Sequence, residues 1–117
     1  MNPKEYQDFV QTTSGAYREL SSREGRVAAA ALGLVGEAGE TSEVIKKWLF
    51  HRHPYNADAL IKELGDVLWY VTELCSSTGI NLEEVFQRNV DKLKTRYPDG
   101  WSSDNSIARR DESVQGI

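Results

Sequence analysis

Proline occurs at three positions only, Pro3, Pro54 and Pro98. An interior proline removes a helical hydrogen bond and clashes with the preceding turn, so this spacing leaves two long stretches free to run as helix. Both carry apolar residues at helical rather than alternating spacing, and no convincing strand pattern appears. Asn2, Pro3 and Glu5 form a helix start, with Asn2 as cap and proline at the first helical position. Tyr6, Phe9 and Val10 give that helix an apolar side as far as about Ser14. Ser21 and Glu24 have capping-box spacing and open a second helix reaching about Phe50. His51 to Tyr55 reads as a loop. Asn56 caps a third helix that stops at Gly79, and Asn81 with Glu84 opens a fourth that ends before Pro98. The stripe of the fourth is Leu82, Val85, Phe86, Val90, Leu93 and Tyr97. The predicted fold is all-α, a four-helix bundle of three long helices and one shorter one. Residues 1–100 form the helical domain, and the polar stretch 101–117 is expected to be an extended or partly disordered tail.

Composition narrows the function classes. The 117 residues suggest one domain, and 27% charged residues with a mean hydropathy of -0.54 are those of a soluble globular protein. A formal charge of -4, from 14 basic and 18 acidic residues, argues against a nucleic-acid polymer as the main partner, since phosphate-backbone binders carry excess Lys and Arg. One cysteine, Cys75, excludes an intramolecular disulfide framework and a cysteine-based zinc site. The start of the chain lacks a signal peptide's apolar run and no stretch is long enough to span a membrane. A cytoplasmic location is expected.

Two short motifs carry the chemistry. Glu37 and Glu40 are three residues apart, and so are Glu63 and Asp66. Residues three apart share a helix face. Ala30 and Val44 fall within about 20° of Glu37, with Trp48 close by. Glu63 shares its face with Ala59, Leu60, Val67, Tyr70 and Leu74. A single such pair usually marks a solvated surface, but here both pairs point toward the place where the helices pack. Four desolvated carboxylates repel one another and cost several kcal/mol each. They must be protonated, paired with Lys or Arg, or bound to a cation. An all-oxygen donor set without His or Cys matches a hard ion, Mg²⁺ or Mn²⁺. On the fourth helix Asn89, Lys92 and Arg96 cluster, and Lys47 lies near the Glu40 direction on the second. Cationic and amide groups beside a carboxylate-held metal are what a polyphosphate requires.

These segments, Gly33-Leu34-Val35-Gly36-Glu37-Ala38-Gly39-Glu40, Glu63-Leu64-Gly65-Asp66-Val67-Leu68-Trp69-Tyr70 and Asn89 through Pro98, resemble the MazG-like nucleoside triphosphate pyrophosphohydrolases. That all-α superfamily also includes dimeric dUTPases and phosphoribosyl-ATP pyrophosphohydrolases. The resemblance covers about residues 4–100. It implies Mg²⁺-dependent hydrolysis of a nucleoside triphosphate to the monophosphate and pyrophosphate, in nucleotide-pool housekeeping or regulation. Glu37, Glu40, Glu63 and Asp66 would bind the metal, Lys92 and Arg96 would hold phosphates, and Asn89 and Tyr70 would contact the substrate. Lys47 is a further expected substrate contact, and Trp48 and Trp69 are candidates for base stacking. The resemblance also implies a homodimer or homotetramer that completes the bundle.

Two positions depart from the pattern: many relatives carry a second glutamate before each motif's first acid, where this chain has Gly36 and Lys62. The expected base is then Glu37 or Glu40, acting on a metal-bound water. His51 and His53 read as surface loop residues, and Cys75 as a small core residue. Gly33, Gly36 and Gly39 suggest close approach of a helix or a ligand. Two other readings are a non-catalytic helical interaction module and a phosphoribosyl-ATP pyrophosphohydrolase.

Overall fold

In the computed structural model, which describes residues 1–113, the chain is helical with no strand among the described residues. The elements are α1 (Pro3–Thr13), α2 (Gly15–Arg18), α3 (Arg23–Phe50), α4 (Ala57–Thr78), α5 (Leu82–Arg96), α6 (Ser103–Ala108) and α7 (Arg110–Ser113). They divide into two compact units, Met1–Asn81 and Leu82–Ile117.

The helix boundaries follow local chemistry. Asn2 caps α1 by accepting from the Glu5 N–H at 2.8 Å, and Asn56 caps α4 by accepting from the Ala59 N–H at 3.0 Å. Gly79 ends α4 at φ 78°, a left-handed conformation that only glycine adopts without steric cost. Two boundaries differ from expectation. Ser22, not Ser21, caps α3, its Oγ accepting from the Gly25 N–H at 3.0 Å; both serines fit a cap by type, and the backbone conformation selects the second. Residues 103–108 and 110–113 are helical where an extended or partly disordered tail was expected. Ser102 caps α6 through Asn105, and Asp111 on α7 binds Arg96 on α5. Residues 114–117, the rest of that tail, lie outside the described residues.

In the first unit α3 packs chiefly on α4, with α1 against α4 and α2 against α3. The α3–α4 pair is antiparallel. Arg23 at the start of α3 donates to the carbonyls of Ser77 and Thr78 at the end of α4. Further along, Arg26 meets Glu73, and Gly33 lies against Tyr70. The buried apolar set of this unit is small, Val10, Ala30 and Cys75. Around it sit Ser14, Thr72, Glu73 and Ser77, also buried. The three hydroxyls bond to helical carbonyls. Glu73 is forked onto Arg26 at 2.8 and 2.9 Å. A buried charge is tolerated only when so paired. In the second unit α6 and α7 pack on α5.

Candidate active site

The antiparallel register of α3 and α4 brings three of the four expected acids together. One carboxylate oxygen each of Glu37, Glu63 and Asp66 lie within 4.8 Å of one another. Glu40, one turn beyond Glu37, is exposed and stands outside that triad, yet close enough for its charge to act on Glu37. Partial burial, then the carboxylates of Glu40, Glu63 and Asp66, push Glu37 up to about 7. Glu37 Oε2 and Glu63 Oε2 are buried with no hydrogen-bond partner among the described residues.

One cation approaches the triad. Lys62 Nζ is 3.5 Å from Glu63 Oε1 and 3.7 Å from Asp66 Oδ2, with its side chain 71% exposed. Both carboxylates raise the Lys62 ammonium above its ordinary value. The sequence signal for this contact is the i, i+4 spacing of Lys62 to Asp66. A solvent-exposed ammonium is a weak partner, and it does not reach the two orphaned oxygens. Divalent-cation ligation is the chemistry that fits an all-oxygen triad with two such atoms. Glu37, Glu63 and Asp66 are the residues that could hold such an ion.

A cleft of about 350 Å³ opens beside the triad, lined by Thr13, Tyr17, Glu37, Asp66, Trp69 and Tyr70. Its volume falls in the range of small-ligand sites. Its lining combines two acids with three aromatic rings. The hydroxyls of Tyr17 and Tyr70 are 2.6 Å apart, and that bond, with burial, pushes Tyr70 up to about 12. Tyr70 lies where it does because Gly33 has no side chain: a Cβ there would come within 2.1 Å of the ring. Of the three spaced glycines, only Gly33 has this role. Nothing lies within 4 Å of a Cβ built on Gly36 or Gly39.

The remaining expected residues are distributed as follows. Lys47 and Trp48 are exposed near the end of α3, and the Trp48 ring packs on Tyr55 at 4.8 Å. The Lys47 carbonyl accepts from the His51 and His53 N–H groups, closing the helix end into the loop. Asn89 and Lys92 are exposed on α5 in the second unit. Arg96 is forked onto Asp111 at 2.7 and 3.0 Å, with Glu112 at 3.7 Å. Those carboxylate contacts hold its guanidinium charged and draw Asp111 below its ordinary value. Thr13 and Tyr17 were not among the expected residues. They come from α1 and α2, far from either acid motif in sequence, and no spacing rule points to them.

The Gene 37 protein of Mycobacterium phage L5 is 44% identical over 73 residues, a match spanning 59% of this chain and 64% of that protein. No solved structure gives a significant match. Residues 27–101 match the MazG nucleotide pyrophosphohydrolase domain. That stretch takes in most of α3, all of α4 and α5, and the whole acidic triad, and on it the chain belongs to the MazG nucleotide pyrophosphohydrolase family.

Proposed function

We propose that this chain hydrolyses a nucleoside triphosphate to the nucleoside monophosphate and pyrophosphate, using Mg²⁺ held by Glu37, Glu63 and Asp66. The observation that carries this reading is the pair of buried, partnerless oxygens, Glu37 Oε2 and Glu63 Oε2, on acids that border an aromatic cleft. When bound, the ion supplies charge neutralisation at phosphate oxygens; Mn²⁺ is a substitute. Glu37 and Asp66 border the phosphate end of the cleft, while Tyr17, Trp69 and Tyr70 take the nucleoside. Glu40, exposed and outside the triad, is the proposed base that takes the proton of the attacking water, with Glu37 the other candidate. Lys47, Trp48, Asn89 and Lys92 are the further proposed substrate contacts. Arg96 joins them by exchanging the Asp111 carboxylate for a phosphate, which suits the same guanidinium fork.

A homodimer or homotetramer is part of this reading. Leu32, Val35 and Phe50 on α3 are 71–77% exposed, and Ile61, Leu64 and Leu68 on α4 are 40–67% exposed. Each set falls within about 60° on its helix, and apolar stripes of this kind mark protein interfaces. No described helix is long and apolar enough to cross a membrane, which accords with the proposed cytoplasmic location.

The decisive experiment is pyrophosphate release from a panel of nucleoside triphosphates with Mg²⁺. Glu63→Gln keeps the shape and removes one ligand charge, so turnover should fall about 100-fold or more. Unchanged turnover in that variant would refute the metal assignment. Absence of both metal binding and turnover in the unmodified chain would favour a non-catalytic interaction module.

A further inference from the structure

The cleft is built from two parts of the chain with different status. Glu37, Asp66, Trp69 and Tyr70 lie inside the family match at residues 27–101. Thr13 and Tyr17 lie outside it, in the α1–α2 segment. Each of these two outer residues holds one of the inner aromatic rings. The Trp69 Nε1–H donates to Thr13 Oγ1 at 2.8 Å, and Thr13 Oγ1 donates onward to the Val10 carbonyl at 2.9 Å. The indole therefore has a fixed edge. The Tyr17 and Tyr70 hydroxyls meet at 2.6 Å, and Tyr70 is held from behind by the bare Cα of Gly33. Ring centroids are 5.6 Å apart for Tyr17–Trp69, 6.0 Å for Tyr17–Tyr70 and 5.0 Å for Trp69–Tyr70. All three pairs are tilted or edge-on, an arrangement in which the rings brace one another.

We infer that the α1–α2 segment sets which nucleoside this site accepts, with Thr13 as a positioning residue for Trp69 and Tyr17 as a specificity residue. This rests on the nucleotide reading of the cleft given above. The ligand class is a nucleotide whose planar base stacks against the aromatic wall and whose polar edge or sugar meets the tyrosine pair. One hydrogen bond joins the two phenols, so one of their two O–H groups is left to donate to the ligand. A site that commits a polar group to recognition discriminates more sharply than an apolar one, because the wrong ligand leaves that group without its hydrogen bond.

The test is steady-state turnover of matched purine and pyrimidine triphosphates, with inhibition by inorganic pyrophosphate measured alongside. Thr13→Val, isosteric but without the hydroxyl, should raise KM for the preferred nucleotide about three- to tenfold, the worth of one hydrogen bond, at nearly unchanged kcat. Thr13→Ser should restore it. Tyr17→Phe should change the ratio of kcat/KM between the two nucleotide classes by a similar factor. Pyrophosphate, which has no base, should inhibit all variants alike. The inference is overturned if every nucleotide and pyrophosphate shift together, or if kcat falls at constant KM without rescue by Thr13→Ser. A parent chain that turns over no nucleotide overturns the underlying reading instead, and the two failures are thereby distinct.

Discussion

Two glutamates on α4 face α3, ten residues apart, and they have opposite fates. Glu73 is fully buried and forked onto Arg26. Glu63 is 14% exposed at its side chain, has the exposed Lys62 ammonium as its cationic neighbour, and keeps one buried oxygen without a hydrogen-bond partner among the described residues. The same helix pair thus holds one acid with its charge answered and one with its charge left open. Burial alone does not separate a structural acid from a functional one; the presence of a matched buried counter-charge does. The open acid also has company, since Glu37 and Asp66 converge with it, whereas Glu73 is bonded to Arg26.

The sharpest way to break this contrast is to remove the arginine. Arg26→Ala strands the Glu73 carboxylate, and stability should fall by about 3–5 kcal/mol, read as a lower midpoint in chemical denaturation. If the loss is under about 1 kcal/mol, comparable to a surface pair, Glu73 is no more structural than Glu63. A smaller effect is expected at Gly33. Gly33→Ala drives a methyl into the Tyr70 ring, and overpacking should cost about 1–3 kcal/mol while the equivalent change at Gly36, with open space around it, should stabilise α3 slightly. Equal behaviour at the two glycines would mean that Tyr70 is not fixed in the cleft.

The open site should also respond to pH. In the folded, metal-free chain Glu37 is raised to about 7 from an ordinary value of 4.5. Between those limits the folded state binds a proton that the unfolded state has released. That contribution to stability is complete below the ordinary value and is lost as pH rises through about 7. Melting temperatures in a chelator should therefore decline across this window, and Glu37→Gln should flatten the decline. The smallest expected change is at Lys62. Its ammonium competes with any cation for Glu63 and Asp66, so Lys62→Gln should tighten Mn²⁺ binding about two- to fivefold at low salt, with the gain shrinking as salt screens the exposed charge. Calorimetric titration reads this directly, and weaker binding in the variant would show that Lys62 supports the site instead of competing for it.

Much of the fold was legible because its signals are local. Asn2 and Asn56 as caps, and Gly79 as a stop, each act within four residues, so type and spacing sufficed. The choice between Ser21 and Ser22 was not legible, because two adjacent residues of the same type satisfy the same rule. The helices at 103–108 and 110–113 were missed because α7 is held in part through Asp111 on Arg96, fifteen residues back, which no local pattern encodes. The acids were legible as a class, since helical periodicity places Glu37 and Glu63 among apolar residues. Their grouping was not: periodicity treats Glu37 and Glu40 alike, and only the α3–α4 contact distinguishes them.

The amino-acid sequence by itself determined the all-α class, the main helix boundaries and the presence of misplaced carboxylates, because propensity, capping and the 3.6-residue repeat are properties of neighbouring residues. The tertiary structure alone decided which acids converge, which acid Arg26 neutralises, why Gly33 is bare, and that Thr13 and Tyr17 border the cleft. Those facts depend on the register in which α3 meets α4 and on where α1 and α2 pack. Such contacts join residues dozens of positions apart, whose side chains carry no trace of one another along the chain.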